Sequence, residues 1–234
     1  MASKAETLFD FYKRRKKFLE GLNYYNLNCE KLNNIISKKY IVFFGGKIPE
    51  RSNNPDAGNY FDEVQTISLI VNKMPEDYFL IYKEHPSNKE NSEFISDKDH
   101  YFYKRLKKIS KRILFVSPTI DRAELIKNSK AVCNLTGSAT WEAYILNKPS
   151  FNFGGNWFNN FNQIFTINNS KDLELFFKVK INEKIERKKT EEFFYDTLKR
   201  CSINNLREIN QNDLVYDFAI EQHSSLINDV LENK

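Results

Sequence analysis

Six short apolar runs, at 40–44, 78–82, 113–116, 131–135, 150–153 and 164–167, alternate with longer amphipathic segments. This alternation constrains the fold more than any single motif. The runs are almost continuously apolar, as strands are when helices cover both faces of a parallel sheet. Between them, 61–73, 101–110, 122–128 and 138–147 carry helical spacing. Ser117-Pro118-Thr119 followed by Asp121-Arg122 has the character of a helix start. Strand and helix in turn predict an α/β fold, a doubly wound parallel sheet of about six strands. Sheets of this kind bind ligands outside the carboxyl ends of their strands, where the strand order reverses.

The flanks have a different character. Residues 5–38 have the pattern of one or two helices with apolar positions at Leu8, Phe11, Tyr12, Phe18, Leu19 and Leu22. Residues 184–234 have that of a helical tail, with apolar positions including Leu214, Val215, Phe218, Ala219, Leu226 and Val230. The expected organisation is therefore a helical extension at 1–38, the α/β domain at 39–180, and a tail at 181–234 that packs on the domain or on a partner.

Composition narrows the function. With 234 residues, 41% of them hydrophobic and 15% aromatic, the chain has ample material for a core. Its 36 Lys and Arg against 31 Asp and Glu give a net charge of +5, too mild and too dispersed to predict a nucleic-acid partner. Cys29, Cys133 and Cys201 are far apart and form no C-x-x-C pair. Neither a disulfide framework nor a zinc site is expected, and a reducing cytoplasm is the default. The basic run at 13–17 is read as a solvated helix face. No apolar stretch beside it is long enough to span a membrane, so any membrane link is through a partner or peripheral, at the inner face.

The loops that leave these strands should converge on one sheet edge. After the first run comes a long loop, 45–58, containing Gly45, Gly46, Glu50, Arg51 and Asp56. After the second comes Lys83-Glu84-His85-Pro86, after the third Ser117-Pro118, and after the fourth Thr136-Gly137-Ser138, leading to Glu142. The expected edge is cationic, glycine-bearing and rich in hydroxyls. A Gly between two hydroxyl residues at a helix start lets an anion approach free N–H groups at the positive end of the helix dipole. Arg51, Lys83 and His85 can add charged donors, and Glu142 can accept from ribose hydroxyls. No metal or cofactor is expected, since these groups can stabilise a leaving phosphate.

The runs "PERSNNPDAGNYFDE", "LIYKEHPSN" and "LIKNSKAVCNLTGSATWEAYILNKPSFNFG" together resemble the nucleotide-binding half of bacterial capsule and surface-polysaccharide glycosyltransferases of the GT-B type, which have two Rossmann-like domains. Bacterial Kdo transferases and sialyltransferases share the His-Pro element. The resemblance covers about 40–155 and implies a CMP- or UDP-sugar donor. It implies that His85 and Pro86 contact the nucleotide, that Ser138 and its neighbours bind phosphate, and that Glu142 holds the ribose. GT-B enzymes usually carry the acceptor site, and often the base, on an amino-terminal domain that residues 1–38 are too few to form. The chain is thus expected to be a donor-binding half, with a glycan or lipid-linked glycan acceptor reached through a second chain or copy. Within the chain the candidate bases are Glu50, Asp56 and Asp62. A sugar-nucleotide 2-epimerase and a non-catalytic nucleotide-binding scaffold subunit are the alternatives. The aromatic stretch "FGGNWFNNF", 153–161, is suited to stacking on a sugar or base or to packing under the tail, with packing the preferred reading, and His100 and His223 receive no role.

Overall fold

The computed structural model describes residues 8–48, 56–89, 95–156, 158–159 and 164–183. The expected tail at 181–234 lies almost wholly outside them. Helix α1 spans Leu8–Leu27, strand β1 Cys29–Glu30 and helix α2 Leu32–Ile36. The strands β2 (Lys39–Phe44), β3 (Tyr78–Lys83), β4 (Ile113–Val116), β5 (Ala131–Asn134), β6 (Ser150–Asn152) and β7 (Ile164–Thr166) match the six apolar runs. The helices α3 (Glu63–Lys73), α4 (His100–Ile109), α5 (Arg122–Asn128), α6 (Ala139–Ile145) and α7 (Ser170–Lys178) come after β2, β3, β4, β5 and β7. Their starts are chemically marked. Asp62, Asp99 and Asp121 cap α3, α4 and α5 through side-chain oxygens, and Asn169 and Asp172 close a reciprocal capping box on α7.

All seven strands are parallel, in the order β1-β4-β3-β2-β5-β6-β7. The chain steps outward from β2 through β3 to β4, then crosses to the other side of β2 to lay down β5, β6 and β7. The order therefore reverses between β2 and β5. The seventh strand, β1, has no counterpart among the apolar runs. At two residues it is too short to show any periodicity, and it joins the edge by pairing Cys29 with Phe115.

Alternating strand residues divide the core between the two faces. Ile41, Phe43, Leu80, Tyr82, Phe115, Cys133 and Phe151 pack on one side with Ile67, Ile70, Leu106 and Phe176. Tyr40, Val42, Ile81, Val116 and Val132 pack on the other with Ile35, Leu125, Ile126 and Ala143. Helix α1 joins the first of these clusters through buried Tyr25, while its Phe18 and Leu22 bury themselves against Ile95 in a separate cluster, each worth about 1.5–3 kcal/mol in transfer terms. Phe11 and Tyr12, expected on the same apolar stripe, are 39% and 67% exposed. Gly21 sets how closely α1 approaches, because a Cβ there would fall 2.6 Å from the carbonyl oxygen of Lys98.

Candidate functional site

A cleft of about 230 Å³ opens above the carboxyl ends of β2, β3 and β5, at the reversal of strand order. Gly45, Gly46 and Lys47 leave β2 on one side. Lys83, Glu84, His85 and Pro86 leave β3 beside them, and Asn134 through Ala139 leave β5 opposite. Arg122, the first residue of α5, completes the wall.

Lys83 is the last residue of β3 and is buried; its ammonium donates to the carbonyl of Pro118. Burial, and next the neighbouring Arg122 charge, lower its pKa to about 8. His85 Nδ1 accepts from the Ser87 N–H at 3.1 Å, which puts the proton of the neutral ring on Nε2. The Arg122 guanidinium lies over the Phe44 ring, 5.4 Å from its centroid, and is held from behind by Glu142. Glu142 also accepts from the Ser138 hydroxyl at 3.3 Å. Opposite, Asn134 Nδ2 donates to the Gly137 carbonyl at 2.7 Å, and a Cβ on Gly137 would lie only 2.9 Å from that nitrogen. The backbone between β5 and α6 thus rests directly on Asn134.

Beneath the cleft floor lies a buried ionic network. Lys98 Nζ is 3.0 Å from both Glu63 Oε2 and Glu84 Oε1, with all three side chains at most 1% exposed. It also donates to the Tyr82 hydroxyl at 2.9 Å and the Gly46 carbonyl at 2.8 Å. Tyr103 donates to Glu84 Oε2 at 2.7 Å. Each carboxylate holds one cleft loop by its backbone. Glu63 accepts from the Gly46 N–H at 2.7 Å, and Glu84 accepts from the His85 N–H at 2.7 Å and from Asn88 Nδ2 at 2.8 Å. Gly45 lies flat on the network, because a Cβ there would be 2.5 Å from the Tyr82 hydroxyl. Burial and the second carboxylate push Glu63 upward, despite Lys98. Burial acts the same way on Glu84, but Lys98, Tyr103 and the His85 N–H outweigh it and hold the group below its ordinary value. On Lys98 burial acts downward and the two carboxylates prevail, raising it.

The fold brings Lys83, His85, Pro86, Thr136, Gly137 and Ser138 together in the cleft. Glu142 stands behind Arg122 rather than on the cleft wall. Ser117 bonds its hydroxyl to that of Thr119 at 2.8 Å on an exposed turn. Asp62 is engaged as the cap of α3, accepting from the N–H groups of Val64 and Gln65, with Arg105 at 3.8 Å. Asp56 lines a different cavity of about 320 Å³, beyond β6 and β7. Glu50 and Arg51 lie outside the described residues. In the aromatic stretch, Phe153 packs against Tyr60 at 4.9 Å and Phe158 against Trp141 at 6.1 Å between ring centroids. The tail expected to cover them lies outside the described residues. Sequence reasoning missed the cleft roles of Arg122 and Asn134 and the whole Lys98 network. Arg122 had a usable signal, a cation at the first position of a helix that succeeds a strand.

No protein family matches the chain, and no curated protein does. Among solved structures, the chain is similar to the beta Kdo 2,7 transferase KpsC of Thermosulfurimonas dismutans. Identity is 14% over 69% of this chain and 51% of that one, with a TM-score of 0.44. It is also similar to a UDP-GlcNAc 2-epimerase from Methanocaldococcus jannaschii, 16% identical over 76% of this chain and 47% of that one, with a TM-score of 0.43. S. aureus MnaA in a UDP co-structure is 17% identical over 66% and 39%, with a TM-score of 0.44. The chain spans about half or less of the length of each.

Proposed function

We propose that the chain is the donor-binding part of a GT-B-type glycosyltransferase of capsule or surface-polysaccharide synthesis, taking a CMP- or UDP-sugar without a metal. The observation that carries this is the cleft at the reversal between β2 and β5, where Lys83 and Arg122 face the bare backbone of Gly45, Gly46 and Gly137. Cations facing bare glycine backbone around a small concave space suit a nucleotide phosphate. His85 and Pro86 would contact the nucleotide, and Glu142 would act on the ribose or through Arg122. Glycosyl transfer from a nucleotide needs charge stabilisation at the leaving phosphate, which the two cations supply.

One observation favours binding without chemistry in this chain alone. Among the described residues, the only carboxylate lining the cleft is Glu84, and it is engaged below the floor. The acceptor and base would then come from a second domain, subunit or copy. The same reading puts the protein at the inner face of the membrane. No helix among the described residues is long and apolar enough to cross one. Helix α1 nevertheless exposes Phe9 and Tyr12 together with Lys13, Lys16 and Lys17, a combination suited to an anionic lipid surface. Calorimetric titration with CMP, CDP, UDP and GDP tests the central claim. Binding of a cytidine or uridine nucleotide that Lys83→Met and Arg122→Met both weaken supports it, and no binding of any of the four refutes it.

A further inference from the structure

Three polar side chains stand in line across the carboxyl edge of the sheet. Asn134 on β5 is in register with Asn152 on β6, and Asn152 with Thr166 on β7. Residues in register on parallel strands face the same side of the sheet. Each of the three carries a buried oxygen with no hydrogen-bond partner: Asn134 Oδ1, Asn152 Oδ1 and Thr166 Oγ1. Asn134 and Asn152 are 2% and 0% exposed. Their neighbours fix the amide orientations. Asn134 must turn its Nδ2 to the Gly137 carbonyl, at 2.7 Å. Asn159 donates Nδ2 to the Gly154 carbonyl at 2.8 Å, so its Oδ1 accepts from Asn152 Nδ2, also at 2.8 Å. In both asparagines it is therefore an acceptor that is left over. A buried polar atom without a partner opposes folding, so three aligned ones mark a place where something else supplies the donors.

The ends of the row line the two cavities. Asn134 lines the cleft of about 230 Å³, and Thr166 lines the cavity of about 320 Å³ that also contains Asp56, Asn59 and Asn168. Among the described residues, the turn after β6 lies between them. At its Gly154, an added Cβ would fall 2.2 Å from Thr136 Cγ2 on the cleft wall and 2.9 Å from the Asp56 carbonyl oxygen on the other. The same turn carries Asn156 Nδ2, a buried donor that also has no partner.

We infer that the ligand lies over the turn between the two cavities, so that the ends of the row, Asn134 and Thr166, read its hydroxyl-bearing ring while Asn152 stands between them in register, an inference that rests on the sugar-nucleotide reading of the cleft. Its charge logic separates the two ends. Phosphate is drawn to Lys83 and Arg122 and repelled by the amide oxygens of the row, whereas a neutral polyol offers the O–H donors that these oxygens lack and can donate to or accept from the Thr166 hydroxyl. A hydroxyl can also accept from Asn156 Nδ2 while it donates. The glycosyl group attached to the phosphate fits both requirements.

The test measures affinities by calorimetry for UDP against UDP-N-acetylglucosamine and CMP against CMP-N-acetylneuraminate, using the full chain, Thr166→Val and Thr166→Ser. Valine keeps the shape of threonine and removes the oxygen that has no partner, so its melting temperature should equal or exceed that of the parent. In at least one pair the sugar should tighten binding, and Thr166→Val should reduce that gain by roughly three- to tenfold, the weight of one hydrogen bond. Thr166→Ser should restore it, and the bare nucleotide should lose nothing. If nucleotides bind but the ratio of sugar nucleotide to nucleotide is unchanged in Thr166→Val, the row holds only ordered water and this inference falls alone. If no nucleotide or sugar nucleotide binds, the proposed function falls and takes the inference with it.

Discussion

Lys98 Nζ stands 3.0 Å from Glu84 Oε1 with both side chains out of contact with solvent, and the same ammonium holds the Gly46 carbonyl at 2.8 Å. One buried cation thus ties together the two loops that enclose the cleft on its β2 and β3 sides. Lys98→Met should cost about 3–5 kcal/mol in denaturant unfolding, because it leaves Glu63 and Glu84 buried without their counter-ion. It should also weaken nucleotide binding, by freeing Gly46. A loss below about 1 kcal/mol would mean that the carboxylates are neutral in the folded protein.

The network also predicts the acid limb of stability. Glu84 has a folded pKa below its ordinary 4.5, so the unfolded chain takes up a proton first as the pH falls. Its contribution is therefore complete above 4.5 and disappears as the pH drops through the lower folded value. Lys98 behaves oppositely: its raised value gives stability that is present below 10.5 and lost as the pH climbs through the folded pKa. Glu84→Gln should flatten the decline in urea midpoint below 4.5 and move the alkaline limb to lower pH, since the Glu84 charge helps to raise Lys98. An acid limb as steep as the parent's would assign the decline to other carboxylates.

How much of the fold and cleft was legible in the sequence depends on whether partners are neighbours along the chain. Strands β2 to β7 announced themselves as apolar runs, so Lys83, His85 and Thr136 to Ser138, in the loops after them, could be grouped from topology alone. Lys98 could not. It sits in the polar stretch after His85, fourteen residues beyond Glu84, where nothing in the local pattern distinguishes a buried lysine from a solvated one. The row from Asn134 to Thr166 was hidden for a related reason. Its meaning lies in the register of three strands, and register is fixed by packing rather than by any one segment. Glu142 shows the reverse limit, since its place on the helix was correctly anticipated while its partner, Arg122, came from a different βα unit.

Lys83 should make the proposed anion binding depend on pH near neutrality. With its pKa lowered to about 8, first by burial, the ammonium that attracts phosphate disappears as the pH rises through that value. A bound anion would raise the pKa, so affinity should fall progressively from about pH 8 upward. The same depressed value means that the Lys83 charge opposes folding below about 8, and that this cost is relieved between about 8 and 10.5. Stability and nucleotide affinity should therefore move in opposite directions across this interval. Titration with UDP or CMP from about pH 7 to about pH 9.5 checks the affinity arm. Lys83→Met should bind weakly and show no such slope, and an unchanged slope in that variant would move the titrating group elsewhere.

His85 offers a more local measure of the cleft. With Nδ1 occupied by the Ser87 N–H at 3.1 Å, the neutral ring presents Nε2 as its donor, on the loop that Glu84 fixes through the His85 backbone. His85→Ala should weaken nucleotide binding by about 1–3 kcal/mol if that donor meets a charged phosphate oxygen. The fold should be little affected, since the backbone bond to Glu84 does not involve the ring. Equal affinities for parent and variant in calorimetry would remove His85 from the binding site.

The chain as it stands should bind a sugar nucleotide and transfer no sugar. Transfer requires the acceptor oxygen, a base and the donor carbon to be held in near-attack geometry, and that positioning supplies a large part of the rate. Among the described residues, the cleft offers the cations Lys83 and Arg122 beside bare glycine backbone but no available carboxylate. Glu84 is engaged with Lys98, and Asp62 caps α3. Asp56 belongs to the cavity beyond β6 and β7, where it could meet the sugar but not the leaving phosphate beside Lys83. On the proposed reading a base arrives on another polypeptide surface, and adding the subunit or domain that carries it should switch transfer on without tightening donor binding by more than about tenfold. Transfer would be monitored by release of free CMP or UDP from the matching donor in the presence of a glycan acceptor. Robust release by a verified monomer of this chain would overturn the prediction and direct attention to Glu50 and its loop. In that event Glu50→Gln should abolish turnover while leaving donor affinity unchanged, which separates a base in the loop after β2 from one supplied in trans.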